Sequence, residues 1–334
     1  MPIGWHILYC FLVPFLITLL LTPQAMVLAP LVGAVDIPRD GRRMHHHPIP
    51  RLGGVAIFLA FLTVMLLPGI REPFLYRFLW GSTLLVLIGI LDDVYRLSAW
   101  LKLGIQVVAV SPAAAYFGAA EHYGPRWLPL IFLYLLALTN AHNLIDGLDG
   151  LAAGISAAEA GALLLLALLG GEPSAAFPAA GLAGCAIGFL PYNRHPARIF
   201  MGDTGSLFFG FALAATSLEA GIPRIGALGW LLLPLVFALP FSDMFFAIIR
   251  RLTHGKTPFT PDRGHWHHRL VDAGLSQKRA AGWLVIIAAL LDGVAVLLSR
   301  EIWYPAAAYL TLLVVGLVWL LDYRMYRRRN AGTG

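Results

Sequence analysis

The chain has 334 residues, of which 59% are hydrophobic and only 13% charged. So little charge excludes a soluble enzyme of this length and points to a polytopic integral membrane protein. The formal net charge of +6 is scattered over many loops, which argues against a nucleic-acid surface, and the two cysteines, Cys10 and Cys185, sit in apolar stretches and offer no disulfide framework.

Apolar runs near the ~20 residues needed to cross a bilayer predict an all-α bundle of about 11 transmembrane helices. In chain order the runs cover about 5–28, 54–70, 74–91, 101–120, 127–143, 151–170, 175–190, 205–219, 227–249, 281–298 and 304–321. The short gaps between them predict one transmembrane domain over 1–334. The loops that would fall on one side hold 19 of the 24 lysines and arginines. Basic loops stay in the cytoplasm, so the amino terminus is expected outside and the carboxyl terminus inside. Loops 36–53, 92–100, 140–150, 191–204 and 250–280 are then cytoplasmic, and every motif below lies on them.

The densest motif is NAHNLIDGLDG, 140–150, between two apolar runs. Asp146 and Asp149 are three apart and share a helical face, which Asn143 can join from one turn earlier. Ionisable groups at such a depth are functional by default. The acidic pair Asp92-Asp93 follows another span. Adjacent helical residues diverge, so one carboxylate can face a site while its neighbour holds a loop or caps a helix. In RIFMGDTGS, 198–206, Asp203 is flanked by glycines at a helix start, a good place for a metal or a phosphate. Phe200 offers a flat face for a base.

Two loops carry histidines among basic residues: RRMHHHPIPRLGG, 42–54, and DRGHWHHRL, 262–270. Phosphate contacts suit them better than zinc, since no cysteine is near and consecutive histidines cannot converge on one ion. Five carboxylates, Asp92, Asp93, Asp146, Asp149 and Asp203, thus gather on one face inside a basic rim. They would repel one another without a divalent cation, and oxygen and amide donors suit Mg²⁺, with Mn²⁺ as a substitute. A basic rim over a metal at a membrane surface predicts a polyanionic substrate, one of whose partners is a lipid phosphate.

The pieces HHHPIPRLGG, DDVYRLSAWLKLGIQ, NAHNLIDGLDGLAAG, PARIFMGDTGS and PFTPDRGHWHHRL resemble, in order and over most of the chain, the polyprenyl-phosphate N-acetylhexosamine-1-phosphate transferases. The closing loop is similar to the branch that uses UDP-GlcNAc and begins O-antigen, enterobacterial common antigen or wall teichoic acid. It is less like the phospho-N-acetylmuramoyl-pentapeptide transferases of peptidoglycan synthesis. The resemblance implies a bacterial plasma-membrane enzyme with its site in the cytoplasm. Such an enzyme moves a sugar 1-phosphate from a UDP-N-acetylhexosamine to undecaprenyl phosphate, with Mg²⁺, and releases UMP. It implies Asp203 and Asn143 as metal ligands, and Asp92, Asp93, Asp146 and His265 as catalytic. Arg43, His45, Arg51, Lys102, Asn140, Asp149, Arg198, Phe200, His267 and His268 would bind substrate, with Asp149 and Phe200 at the uracil. Arg43 stands where relatives often carry lysine. A homodimer is left open.

A phosphate monoester has a second pKa of roughly 6 and is mostly dianionic at neutral pH. Asp92 is therefore expected to position the attacking phosphate more than to deprotonate it. Direct in-line attack is favoured over an aspartyl-phosphate. The competing class is a secondary transporter of an anionic solute, suggested by Glu159 and Asp292 in mid-span. Structural polar pairs explain these two as well, and transport would require motifs distributed across the membrane.

Overall fold

A computed structural model of the chain describes residues 3–37, 47–67, 72–119, 122–224, 229–257, 260, 262, 264–299, 304, 307 and 311. The order is α1 (Ile3–Val32), β1 (Val35–Asp36), β2 (Ile49–Pro50), α2 (Gly53–Met65), α3 (Glu72–Tyr95), α4 (Ala99–Phe117), α5 (Leu128–Ile145), α6 (Leu151–Gly170), α7 (Pro173–Asn193), α8 (Gly202–Glu219), α9 (Gly229–Val236), α10 (Ala238–Thr253), α11 (Trp266–Asp272) and α12 (Gln277–Leu298). Two short 3-10 turns lie at Pro125–Trp127 and Ile222–Arg224. The chain is a multi-pass, all-helical membrane protein. The two strands pair antiparallel, Val35 with Pro50 and Asp36 with Ile49.

Among the described residues eight helices are long and apolar enough to cross a membrane, or nine if α9 and α10 form one span. The sequence expectation of about eleven differs in three places. Residues 54–70 yield only α2, whose 13 residues reach about 20 Å at 1.5 Å per residue, short of the ~30 Å hydrocarbon layer. It stops ahead of the Pro68-Gly69 pair, which disfavours continuation. Residues 227–249 are two helices meeting at 81°. Pro240 cannot donate to the carbonyl four residues back, at Val236, and α9 ends there. The last run, 304–321, lies almost wholly outside the described residues.

Helix α8 is the axle. Every one of its residues, Gly202 to Glu219, is buried, and it packs against α2, α3, α5, α6 and α7. An all-round apolar helix belongs in the centre of a bundle. Close approach is bought by missing side chains at the crossings: a Cβ on Gly89 of α3 would strike Thr204, and one on Gly54 of α2 the backbone of Gly205. Gly184 and Gly188 of α7 similarly face the carbonyls of Phe11 and Phe15 of α1, so two helices meet backbone to backbone. The other face of α1 carries exposed Trp5, Leu8, Leu12, Leu16, Leu20, Val27 and Leu31, the surface a spanning helix turns to lipid. Cys10 and Cys185 are free and buried.

Candidate active site

The site is built on the first turn of α8. Asp93, in the last turn of α3, reaches across to cap α8 from outside. Its Oδ1 accepts the Asp203 N–H at 3.0 Å, and its Oδ2 accepts the Thr204 N–H at 3.2 Å and the Thr204 hydroxyl at 2.7 Å. These are two of the orphan donors every helix start must satisfy. Gly202 turns the chain at φ +71, and a Cβ there would strike the Asp93 carboxylate. The Asp93 side chain has no exposed surface. It lies behind Asp203, against the backbone of the α8 start.

Sequence reasoning put Asp92 and Asp93 in the linker 92–100. They lie instead in the last turn of α3. That helix ends because Arg96 adopts φ +55, with its N–H on the Asp92 carbonyl, a left-handed stop. Asp92 Oδ1 then accepts the Leu97 N–H at 2.8 Å. Its other oxygen takes the Lys102 ammonium at 3.1 Å, and the same ammonium lies 2.8 Å from Asp203. Arg51 stands on the far side, 3.4 Å from Asp93 and 3.5 Å from Asp203. Two cations thus hold three carboxylates together. The RLGG segment is clamped here by backbone: Phe200 N–H to the Pro50 carbonyl, and Gly53 and Gly54 N–H to the carbonyls of Phe200 and Met201.

The NAHNLIDGLDG turn borders this centre. Asn143 donates to the Ser206 hydroxyl at 3.0 Å, one turn along α8 from Asp203, which leaves its carbonyl oxygen as a donor to a cation. Asp146 ends α5. Its pKa is pushed up to about 7, by desolvation first; Arg51 opposes the rise, and Asp203, Asp93 and Asp149 add to it. Asp149 Oδ2 accepts from His195 Nδ1 at 2.7 Å and the Ala197 N–H at 3.1 Å, so it organises the loop that presents half-buried Phe200. Asn193 completes that brace between the Gly150 N–H and the Ile199 carbonyl. Arg198 lies over the Tyr192 ring and donates to the Pro191 carbonyl, on the exposed rim.

The histidine motif is bolted to α10. Asp243, buried, accepts from His265 Nδ1 at 2.7 Å and from the Trp266 N–H at 2.8 Å. With Nδ1 engaged, the Nε2 edge of His265 is the one left for a ligand. His267 packs onto the acidic turn: a Cβ on Gly147 would collide with its imidazole. Burial, then the adjacent His268, press its pKa down to about 3, so it stays neutral at physiological pH. Its ring is parallel to that of His265 at 5.6 Å, and the His268 ring is 4.3 Å away.

A groove of about 430 Å³ opens beside the acids, between α4, α5 and α10. Lys102, Asn140 and Asn143 line its polar part, and Leu103, Leu133 and Leu136 its apolar part. Asn140 is held by Gln106, at 2.8 Å. Leu133 is shared with a second trough of about 540 Å³ along α4 and α5, lined by Ala114, Leu128 and Phe132.

The structure thus brings together Asp92, Asp93, Lys102, Arg51, Asp203, Asn143 and Asp146, with the histidines against the same turn through Gly147. Arg43 and His45 lie outside the described residues. Sequence reasoning missed Asp243, whose signal was the single charged residue in the apolar run 227–249, and Thr204, Ser206, Asn193 and His195, whose roles depend on distant partners. Of the mid-span acids, Glu159 pairs with His142 at 2.7 Å, as a packed polar pair would. Asp292 is buried, with neither oxygen hydrogen-bonded among the described residues.

A cation fits this donor set. Among the described residues no group of three or more His, Cys, Asp or Glu is arranged to hold a metal alone. Magnesium ordinarily takes one or two carboxylates and completes its shell with water and substrate phosphate, and Asp203 with the Asn143 carbonyl provides that much.

The model of glycosyl transferase family 4 matches residues 75–221, which contain the α8 start, the acidic turn and Lys102. A probable undecaprenyl-phosphate N-acetylglucosaminyl 1-phosphate transferase of Bacillus subtilis (strain 168) is 37% identical, over 89% of this chain and 87% of its own. An undecaprenyl-phosphate alpha-N-acetylglucosaminyl 1-phosphate transferase of Thermotoga maritima is 36% identical, over 76% and 78%. The Escherichia coli (strain K12) protein of that name is 28% identical, over 90% and 86%. Since relatives at 37% and 36% identity cover 89% and 76% of the chain, the chain belongs to glycosyl transferase family 4, in its undecaprenyl-phosphate N-acetylglucosaminyl 1-phosphate transferase branch.

Proposed function

We propose that the chain transfers GlcNAc 1-phosphate from UDP-GlcNAc to undecaprenyl phosphate at the cytoplasmic face of a bacterial plasma membrane, releasing UMP. The observation that carries this is the junction of the acid centre with a groove that is polar at Lys102, Asn140 and Asn143 and apolar at Leu103, Leu133 and Leu136. Such a groove suits a molecule with a phosphate head and an isoprenoid tail, and the second trough along α4 and α5 extends the apolar path.

In this reading an oxygen of the lipid phosphate attacks the sugar-bearing phosphorus of UDP-GlcNAc. The bond to the UMP oxygen breaks, and UMP leaves with that electron pair. A dianionic acceptor needs no base. The task of the residues is alignment and charge neutralisation. Lys102, already between Asp92 and Asp203, holds phosphate oxygens. Asp92, fixed by the Leu97 N–H, keeps Lys102 in place and limits where the acceptor sits. Asp203 and Asn143 would hold Mg²⁺, which supplies the positive charge that neutralises the donor diphosphate. Asp93 fixes the Asp203 backbone. His265, oriented by Asp243, with His268 and Arg198, faces the donor phosphates. Phe200 stacks on uracil, on a loop shaped by Asp149.

The test is purified protein with undecaprenyl phosphate and a panel of UDP-sugars, scored for UMP. Release dependent on both UDP-GlcNAc and the lipid is the expected result; inorganic phosphate instead of UMP refutes the reaction. Reporters after Arg329 and near His122 test the topology: cytoplasmic for the first and external for the second.

A further inference from the structure

We infer that Gln106 and Asn140 together form the contact that reads one hydroxyl of the transferred sugar. The inference rests on the transfer reaction proposed above and adds to it the groups that distinguish one donor sugar from another. Asn140 lies on α5 one helical turn before Asn143, and Gln106 lies on α4 one turn after Lys102, so each shares a face with a residue of the acid centre. All four line the same groove. A backbone group fixes which way the Asn140 amide faces. Its Nδ2 donates to the Leu136 carbonyl at 2.8 Å and to Gln106 Oε1 at 2.8 Å. Turned over, Asn140 would set its own oxygen against the Leu136 carbonyl, two acceptors with no proton between them. Both Asn140 side-chain hydrogens are therefore spent, and Gln106 meets them with its oxygen.

The pair is left with one acceptor, Asn140 Oδ1, and the donors of Gln106 Nε2, which flank the bond between the two amides. Neither atom has a hydrogen bond among the described residues. Gln106 is 2% exposed, so the groove it lines is where its donors meet a partner. An acceptor beside a donor selects its ligand. The Gln106 N–H groups repel a cation and the Asn140 oxygen repels a phosphate dianion, whereas a hydroxyl accepts from the one and donates to the other. An acetamido group fits less well, because its N–H and C=O point to opposite sides of a trans amide. The lipid phosphate, all acceptor as a dianion, belongs at Lys102. The remaining hydroxyls are those of the UDP-sugar. Uracil is assigned to Phe200, on the loop before α8, which takes the ribose to that side. The sugar hangs from the reacting phosphorus, beside Asp203 and Asn143, one turn from Asn140.

The test uses the full chain, undecaprenyl phosphate and a panel of UDP-GlcNAc analogues, each lacking one hydroxyl of the sugar ring. A site built to bond a hydroxyl rejects the analogue without it, since its own polar groups are then unpaired, and wild type should disfavour one analogue by about ten-fold or more in kcat/KM. In Gln106→Met and in Asn140→Leu that preference should shrink to within about two-fold, with the ranking of the other analogues unchanged and the KM for undecaprenyl phosphate within about two-fold of wild type. Inhibition by UMP, which carries the ribose without the sugar, should be the same in wild type and variants. Wild type that accepts every analogue equally overturns the assignment without any variant. So do variants that keep the wild-type preference, that lose UMP inhibition, that raise the KM for the lipid, or that lose discrimination against UDP-glucose alone, the mark of an acetamido contact. Calorimetric binding of UDP-GlcNAc and the analogues separates the two levels. If wild type binds UDP-GlcNAc but releases no UMP, the reaction fails while the hydroxyl preference is still read in the binding constants. If wild type and variants release UMP alike from every analogue, the amide pair fails while the reaction stands.

Discussion

Replacing Asp93 by alanine should damage the protein twice, through one cause. The Asp93 carboxylate satisfies the Asp203 N–H, the Thr204 N–H and the Thr204 hydroxyl, and pairs with Arg51, in a place without exposed side-chain surface. A buried donor left without its acceptor costs about 1–3 kcal/mol. The hydroxyl can rotate to another acceptor, whereas the two N–H groups cannot, so the two together amount to about 2–6 kcal/mol by the same measure. For a mid-sized chain this lowers the melting temperature on the order of 5 °C or more. The first turn of α8 would also lose its register, and a displacement of about 1 Å at a reacting group costs about 10²-fold in rate. Thermal unfolding in detergent and UMP release, on one preparation, read both effects. Asp93→Asn, which keeps one carbonyl oxygen, should fall between wild type and alanine in both. A variant that melts like wild type while losing turnover would refute the capping argument and put Asp93 in contact with substrate. A variant normal in both would falsify its importance altogether.

Asp203→Asn should abolish transfer with little change in melting temperature, because it removes a charge from the donor set without changing shape; ordinary turnover at ordinary Mg²⁺ contradicts its role. Phe200→Ala should weaken UDP-GlcNAc binding by about 1–3 kcal/mol, the range for a stacked base, and an unchanged KM means the ring only packs. Asp146 has a folded-state pKa raised to about 7, above the unfolded value near 4. Its contribution to stability is therefore fully present below about pH 4 and is lost as pH rises through about 7. Metal-free Asp146→Asn should accordingly gain on wild type in melting temperature between pH 5.5 and 8, and a pH-independent difference contradicts the shift. Gly147→Ala should push the His267 ring out of its seat and lower kcat while leaving the bundle folded; unaltered kinetics would mean that the histidines do not act from that position.

The sequence by itself determined that this is a helical membrane protein and which family it resembles. Hydropathy is a local property, and a span of about 20 apolar residues is legible wherever it occurs. The acids of the NAHNLIDGLDG and GDTGS segments were legible for a related reason: charged groups at a membrane edge stand out against their neighbours. The span count differs from the described helices where length was deceptive. The stretch 54–70 holds a 13-residue helix, and 227–249 breaks by 81°, because a proline's missing hydrogen bond matters more than mean hydropathy. Only the tertiary structure decided what each acid does. Asp92 and Asp93 are neighbours of the same type, yet α3 turns one toward Lys102 and the other onto the N-terminus of α8. Asp243 looked like an isolated polar residue until His265 was found 2.7 Å away. Pairings across 110 residues, as between Asp93 and Asp203, depend on which helices cross, and that follows from packing around α8 rather than from any local pattern.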